Sequence, residues 1–214
     1  MRDRFFGQSA LPEQLQEFLL KAQRGSEELT LLLSNVMDAS RLEIDAGIRP
    51  AHLQVVQVQE AVQSVIALLE PQMLKERRQV EVDVRPSLTV QADPTRLRQV
   101  LLNLGVNALK YSPEGSPITF RARPAYDAIP SAIISVIDKG YGIPLSEQEH
   151  LFQRFVRLER DLNSATRGSG LGLYISRRLI EAMGGKLWVE SSGIAGEGSS
   201  FHIQLCTPPQ IQEL

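Results

Sequence analysis

From Leu15 the apolar residues recur as Leu15, Phe18, Ala22, Leu29, Leu32, Val36 and Ala39, the three-four alternation that gives a helix one sticky stripe. Leu19 and Leu33 widen the stripe beyond a two-stranded seam, which favours packing into a bundle, with a helix lying on its own domain as the alternative. Gly25 weakens the middle of this helix by about 1 kcal/mol relative to alanine. Gly47 and Pro50 end it and begin a short linker. A second helix is predicted over 58–74, with Val58, Ala61, Val62, Val65 and Leu69 on one side, followed by an alternating strand at 80–84. Asp93-Pro94 pairs a capping side chain with proline at the first helical position and predicts a helix over 95–111. Further strands are predicted at 118–123, 132–138, 187–191 and 201–205, with a helix at 171–183.

The strands outnumber the short connections of a doubly wound fold. The chain therefore reads as α+β: a two-layer sandwich of a mixed sheet with helices on one face, over 49–214, preceded by a helical segment over 1–48. In 214 residues, 43% hydrophobic and 22% charged, there is material for a buried core. The formal net charge of −2, with both signs interspersed, leaves no basic field and argues against nucleic acid as a main partner. The one cysteine, Cys206, cannot form an internal disulfide, which suggests a reducing compartment and no zinc site. Pro12, Glu13 and Gln14 interrupt any signal-peptide core, and no apolar run is long enough to span a bilayer. A cytoplasmic location without direct membrane contact is the expectation, whether or not a parent chain carries an anchor upstream.

On the helix over 95–111, Asn103, Asn107 and Lys110 fall at i, i+4 and i+7 and share a face, while Leu97, Val100, Leu101, Leu104 and Ala108 take the core side. An asparagine carbonyl is a hard oxygen ligand suited to magnesium. Lys110 supplies a point charge for phosphate, and Tyr111 an aromatic surface for a base. A solvated polar face is the plain alternative. The strand ending in Asp138 runs into Gly140 and Gly142, followed by Ile143; a carboxylate there can accept an adenine amino group, or simply cap a tight turn. Gly168, Gly170, Leu171, Gly172 and Leu173 lead into a helix whose N-terminus can face phosphates. No Gly-Lys-Ser/Thr follows, so this is not a Walker loop.

Taken in order, the segments around Asn103 to Ser112, Asp138 to Ile143, Phe152 to Arg157, Gly168 to Leu173, and Gly196 to Phe201 with Ser199 inside it resemble the N, G1, F, G2 and G3 boxes of sensor histidine kinases. The resemblance covers roughly Val55 to Leu205. The stretch from Leu29 to Ala46 resembles the second helix of that family's dimerisation domain. The resemblance implies the histidine kinase-like ATPase fold, with ATP and magnesium as cofactors and a response regulator receiver domain as partner. It also implies a homodimer through the N-terminal helix or upstream helices. It implies that Asn107 ligates magnesium, that Lys110 contacts phosphate and that Tyr111 lies near the adenine. Asp138 would read the adenine amino group beside Gly140 and Gly142. Gly168, Gly170 and Gly172 would belong to a mobile lid, spanning about 157–170, and the helix start that follows it, with Phe155 and Arg157 packing against or reaching towards the lid.

Related ATPases such as gyrase and heat-shock chaperones carry a glutamate where Asn103 stands, and an amide cannot act as base on water, so Asn103 favours transfer to a side chain over hydrolysis. Two departures from the family pattern stand out. Lys139 replaces the usual asparagine of the G1 box, and none of His52, His150 or His202 has the acceptor's setting, an acidic residue followed by Arg-Thr-Pro or similar. The chain thus reads as a kinase catalytic core without its acceptor, with a non-catalytic nucleotide-binding partial kinase or a hydrolytic ATPase as alternatives.

Overall fold

Asp93 accepts backbone hydrogen bonds from Thr95 (3.0 Å) and Arg96 (3.2 Å) and so caps the helix that organises the molecule. The computed structural model describes residues 52–125, 129–158 and 169–208. The elements run β1 (Gln54–Gln57), α1 (Val58–Lys75), β2 (Val80–Val84), β3 (Thr89–Ala92), α2 (Pro94–Tyr111), β4 (Ile118–Ala125), β5 (Ser131–Ile137), the short α3 (Leu145–Gln148) with a 3-10 turn at His150–Phe152, α4 (Gly172–Ala182), β6 (Lys186–Glu190) and β7 (Ser200–Cys206). The three helices and five strands predicted between 58 and 205 are all present, with ends shifted by at most two residues. The N-terminal helix predicted within 1–48 lies outside the described residues.

Five strands form a mixed sheet in the order β2-β4-β5-β7-β6, parallel only between β2 and β4. Because side chains alternate along a strand, register decides what each face shows. Phe120, Val136, Phe201 and Val189 line up across four strands on the inner face, and Ala122, Ile134, Ile203 and Leu187 form the next row. All eight are buried. Helices α1, α2 and α4 cover that face: α1 contributes Val58, Val62, Val65, Leu69 and Met73, and α2 contributes Leu97, Val100, Leu101 and Leu104. The outer face is polar, with Asp83, Arg121, Ser135, His202 and Trp188 aligned across all five strands.

Periodicity did not reveal the small antiparallel ladder of β1 and β3, four residues each, which closes over the start of α1. There the first amide of the helix, at Val58, donates to Leu88 O at 3.0 Å.

Candidate functional site

Three segments distant in sequence meet at the end of β5. The carboxylate of Asp138 is buried (5% exposed). Its Oδ1 accepts the amides of Gly140 (2.8 Å) and Ser199 (3.3 Å), while its own amide donates to Ser199 O at 3.0 Å. The loop beyond β5 is therefore sewn to the loop before β7. Gly198 makes this possible: its φ is +78°, and a Cβ there would lie 1.9 Å from Asp138 O. Gly140 is pressed against the end of α2, where a Cβ would stand 2.2 Å from Tyr111 O, and the Tyr141 amide donates to that same carbonyl at 3.4 Å. Asp138, Gly140, Tyr111 and Ser199 thus form one cluster.

Asn103, Asn107 and Lys110 stand along one face of α2, each half-buried. The Lys110 ammonium lies 4.8 Å from the centre of the Tyr111 ring, so the base-stacking and phosphate-binding candidates adjoin. Asn103 donates through Nδ2 to Ser176 Oγ on α4 (2.9 Å). Gly172 closes on the same amide: a Cβ there would be 2.5 Å from Asn103 Oδ1. The start of α4 therefore packs directly on the Asn103 turn of α2, with Leu171 buried beside it and Leu173 packed against the core.

The segment around Phe155 is joined to the glycine-rich one by a backbone bond from Phe155 to Gly170 O (3.0 Å). Phe155 (φ +61°) and Gly170 (φ +71°) are both left-handed, a conformation that costs a non-glycine residue about 1–3 kcal/mol. Arg157 is half-buried two residues beyond Phe155. Gly168 and the 159–168 stretch expected to form a lid lie outside the described residues.

Gly142 and Ile143 continue the loop beyond Gly140. Ile143 is buried, and its amide donates to Ser191 Oγ (2.9 Å), which in turn donates to Gly198 O (2.6 Å). Gln148 clamps both strands of this loop pair, donating to Ile143 O (2.8 Å) and Ser191 O (2.7 Å). Sequence reasoning missed Ser191, Gln148 and Ser176, because each role depends on at least one partner more than forty residues away. Only Ser191 carries a local signal, a hydroxyl at a strand end within a glycine-rich hairpin.

The donor set suits a magnesium-bound nucleoside triphosphate. It offers two amide oxygens and an ammonium on one helix face, a buried carboxylate at the base end, and a helix start closing over the amides. Among the described residues there is no group of three or more histidine, cysteine, aspartate or glutamate side chains that could hold a metal ion.

Residues 92–209 match the sequence profile of the histidine kinase-, DNA gyrase B-, and HSP90-like ATPases. The chain is 42% identical over 144 residues to the adaptive-response sensory kinase SasA of Synechococcus sp. strain JA-3-3Ab, covering 67% of this chain and 37% of the relative. It is 34% identical over 199 residues to the circadian input-output histidine kinase CikA of Synechococcus elongatus, covering 90% of this chain and 25% of that protein. The chain thus spans well under half the length of these curated relatives. Among solved structures, full-length ShkA in complex with AMPPNP superposes with a TM-score of 0.73 at 29% identity, covering 94% of this chain and 41% of that one. The catalytic domain of histidine kinase ThkA gives 0.61 at 30% identity, over 73% of this chain and 96% of that one.

Proposed function

This chain belongs to the family of histidine kinase-, DNA gyrase B-, and HSP90-like ATPases, and from that premise we propose that it is the ATP-binding catalytic core of a sensor histidine kinase, moving the γ-phosphoryl group of ATP to a histidine. The observation that carries this reading is the junction of α2, the loop after β5 and the loop before β7 on the buried Asp138 carboxylate. Asp138 accepts the adenine amino group, with Gly140, Gly142 and Ile143 as the thin wall behind the base and Tyr111 beside it. Lys110 neutralises phosphate oxygens. Asn107 would offer its amide oxygen to magnesium, and the ion would supply positive charge to the phosphates. The segment from Gly170 to Leu173, which runs into α4, closes on the Asn103 turn and presents its amides towards the phosphate end. Arg157 and Ser199 are assigned to the same site, as is Gly168 by its place in the glycine-rich motif.

The reaction breaks the bond between the γ-phosphorus and the β,γ-bridging oxygen and forms a phosphorus–nitrogen bond on the acceptor, ADP leaving with the electron pair. The chain's residues supply positioning and charge stabilisation rather than a covalent intermediate. Asn103, held by Ser176 and lacking a carboxylate, has no means to take a proton from water, which supports transfer over hydrolysis. A receiver domain as the next phosphoryl acceptor and homodimerisation through the N-terminal helix belong to the same proposal, as does a reducing cytoplasmic setting for the lone thiol.

None of the three histidines has the acceptor's sequence setting: His52 follows Pro50-Ala51, His150 precedes the Phe152 to Arg157 segment, and His202 lies on the outer sheet face. A second reading is a partial kinase that binds nucleotide and pairs with another kinase. Incubation with γ-labelled ATP and a separate dimerisation helix pair bearing the family's histidine separates the two. Acid-labile label on the helix pair supports the kinase; bound nucleotide with no transfer supports the partial kinase. Label on this chain that disappears when one of its three histidines is replaced would overturn the acceptor assignment.

A further inference from the structure

Arg78 lies between α1 and β2, outside every motif of the nucleotide site, and its side chain is 1% exposed. All five of its N–H groups have acceptors. Nε donates to Glu76 Oε2 (2.5 Å), Nη1 to the hydroxyls of Ser112 (2.6 Å) and Ser116 (3.2 Å), and Nη2 to the carbonyls of Leu109 (2.7 Å) and Ser112 (2.8 Å). Four of these five bonds reach the C-terminal end of α2 and the turn after it.

The last four carbonyls of a helix have no partner within it. In α2 these belong to residues 108–111. Ser112 Oγ, itself held by Arg78, donates to Ala108 O (2.5 Å); Arg78 donates to Leu109 O; and the Tyr141 amide reaches Tyr111 O. Between these bonds stand Lys110 and Tyr111. A cation at this end also complements the helix dipole. Burial alone would raise the Glu76 carboxyl, but hydrogen bonds from Gln72 and Arg78 and the charges of Arg78 and Lys75 outweigh it and hold the group below its ordinary value, so Arg78 faces an anion.

We propose that Arg78 is a positioning residue for nucleotide binding: its guanidinium fork fixes the last turn of α2 and thereby sets where Lys110 meets the phosphates and where Tyr111 and Gly140 form the base-side wall. The inference rests on the nucleotide reading of this site. A planar fork with fixed donor directions suits the task in a way that a lysine ammonium does not, since lysine keeps the charge but cannot reach four α2-side acceptors at once.

The test is a double-mutant cycle read by titration with ATP and magnesium. Arg78→Lys, which leaves a cation in the buried site, carries it should Arg78→Met fail to fold. The Lys variant, folded by circular dichroism and cooperative in urea, is expected to bind ATP about tenfold more weakly than the parent, and the same change on a Lys110→Met background to cost only about twofold, because the two residues act through one turn. Equal losses on both backgrounds, or parental affinity for Arg78→Lys, would overturn the assignment. If Lys110→Met alone leaves ATP affinity unchanged, the nucleotide reading of the site falls first and the role of Arg78 with it.

Discussion

Gly198 and Gly196 both have left-handed backbone, at φ +78° and +89°, yet only Gly198 is enclosed: a Cβ there would strike Asp138 O at 1.9 Å, whereas one at Gly196 would meet nothing within 4 Å. Gly196→Ala is expected to cost about 1 kcal/mol, the penalty of the backbone conformation alone, and to leave ATP binding near the parental level. Gly198→Ala should cost about 2 kcal/mol or more and should also weaken ATP binding, since relief of the clash displaces Asp138. Urea unfolding and ATP titration of the two variants side by side check this contrast. His202 offers a second test at the same scale. Its ring stacks on Trp188 at 5.1 Å between centroids, and its Nδ1 shares a hydrogen bond with Ser135 Oγ (2.8 Å). Burial pushes the imidazole below its ordinary value of 6.5, against a weaker opposing pull from Glu190. The unfolded chain therefore takes up a proton at a pH where the native chain resists it. Above 6.5 the contribution is fully present; it declines as pH falls from 6.5 towards the lower native value. The urea midpoint should fall between about pH 7.5 and about pH 5.5, and His202→Gln should flatten that slope, the titration of other groups being common to both proteins.

At the scale of elements, α4 ends in two glycines that do different work. Gly184 (φ +74°) has open space around it and lets Gly185 N reach back to Ile180 O (2.9 Å), as a helix C-terminal cap requires. Gly185 lies against β7, where a Cβ would meet Gln204 O at 2.3 Å. Gly184→Ala should cost about 1 kcal/mol. Gly185→Ala should cost clearly more, because α4 must lift from β7, and thermal unfolding of both ranks them. The elements themselves were legible where periodicity was strong: α2 shows its cap in Asp93-Pro94 and its buried stripe in Leu97, Val100, Leu101 and Leu104, and β7 alternates strictly through Phe201, Ile203 and Leu205. β1 and β3 escaped because four residues are too few to display a period, and their pairing is a long-range fact. The site followed the same division. Asp138, Asn107 and the glycines could be singled out as candidates because their chemistry or backbone freedom is visible in the residue type itself. Arg78, Gln148 and Ser176 were not, because an arginine after a helix, or a glutamine in a short one, acquires meaning only from a partner that folding brings to it.

For the molecule as a whole, one apolar sheet face is covered by α1, α2 and α4, while the opposite face is polar. The candidate site opens at one end of that sandwich, where α2, α4 and the loops after β5 and before β7 converge. No helix among the described residues is long and apolar enough to cross a membrane. The central claim is that this end of the fold is a magnesium-dependent ATP cradle read by Asp138. The most direct measurement is calorimetric titration of ATP, with and without magnesium, into the parent and into Asp138→Asn. The substituted amide keeps an oxygen for the amides of Gly140 and Ser199, so the fold should survive, but its charge is gone and its NH2 can oppose the adenine amino group. The account predicts ATP binding by the parent that weakens without magnesium, and a further loss of at least about tenfold in Asp138→Asn with an unchanged unfolding midpoint. Parental affinity in Asp138→Asn, or binding indifferent to magnesium, would contradict it.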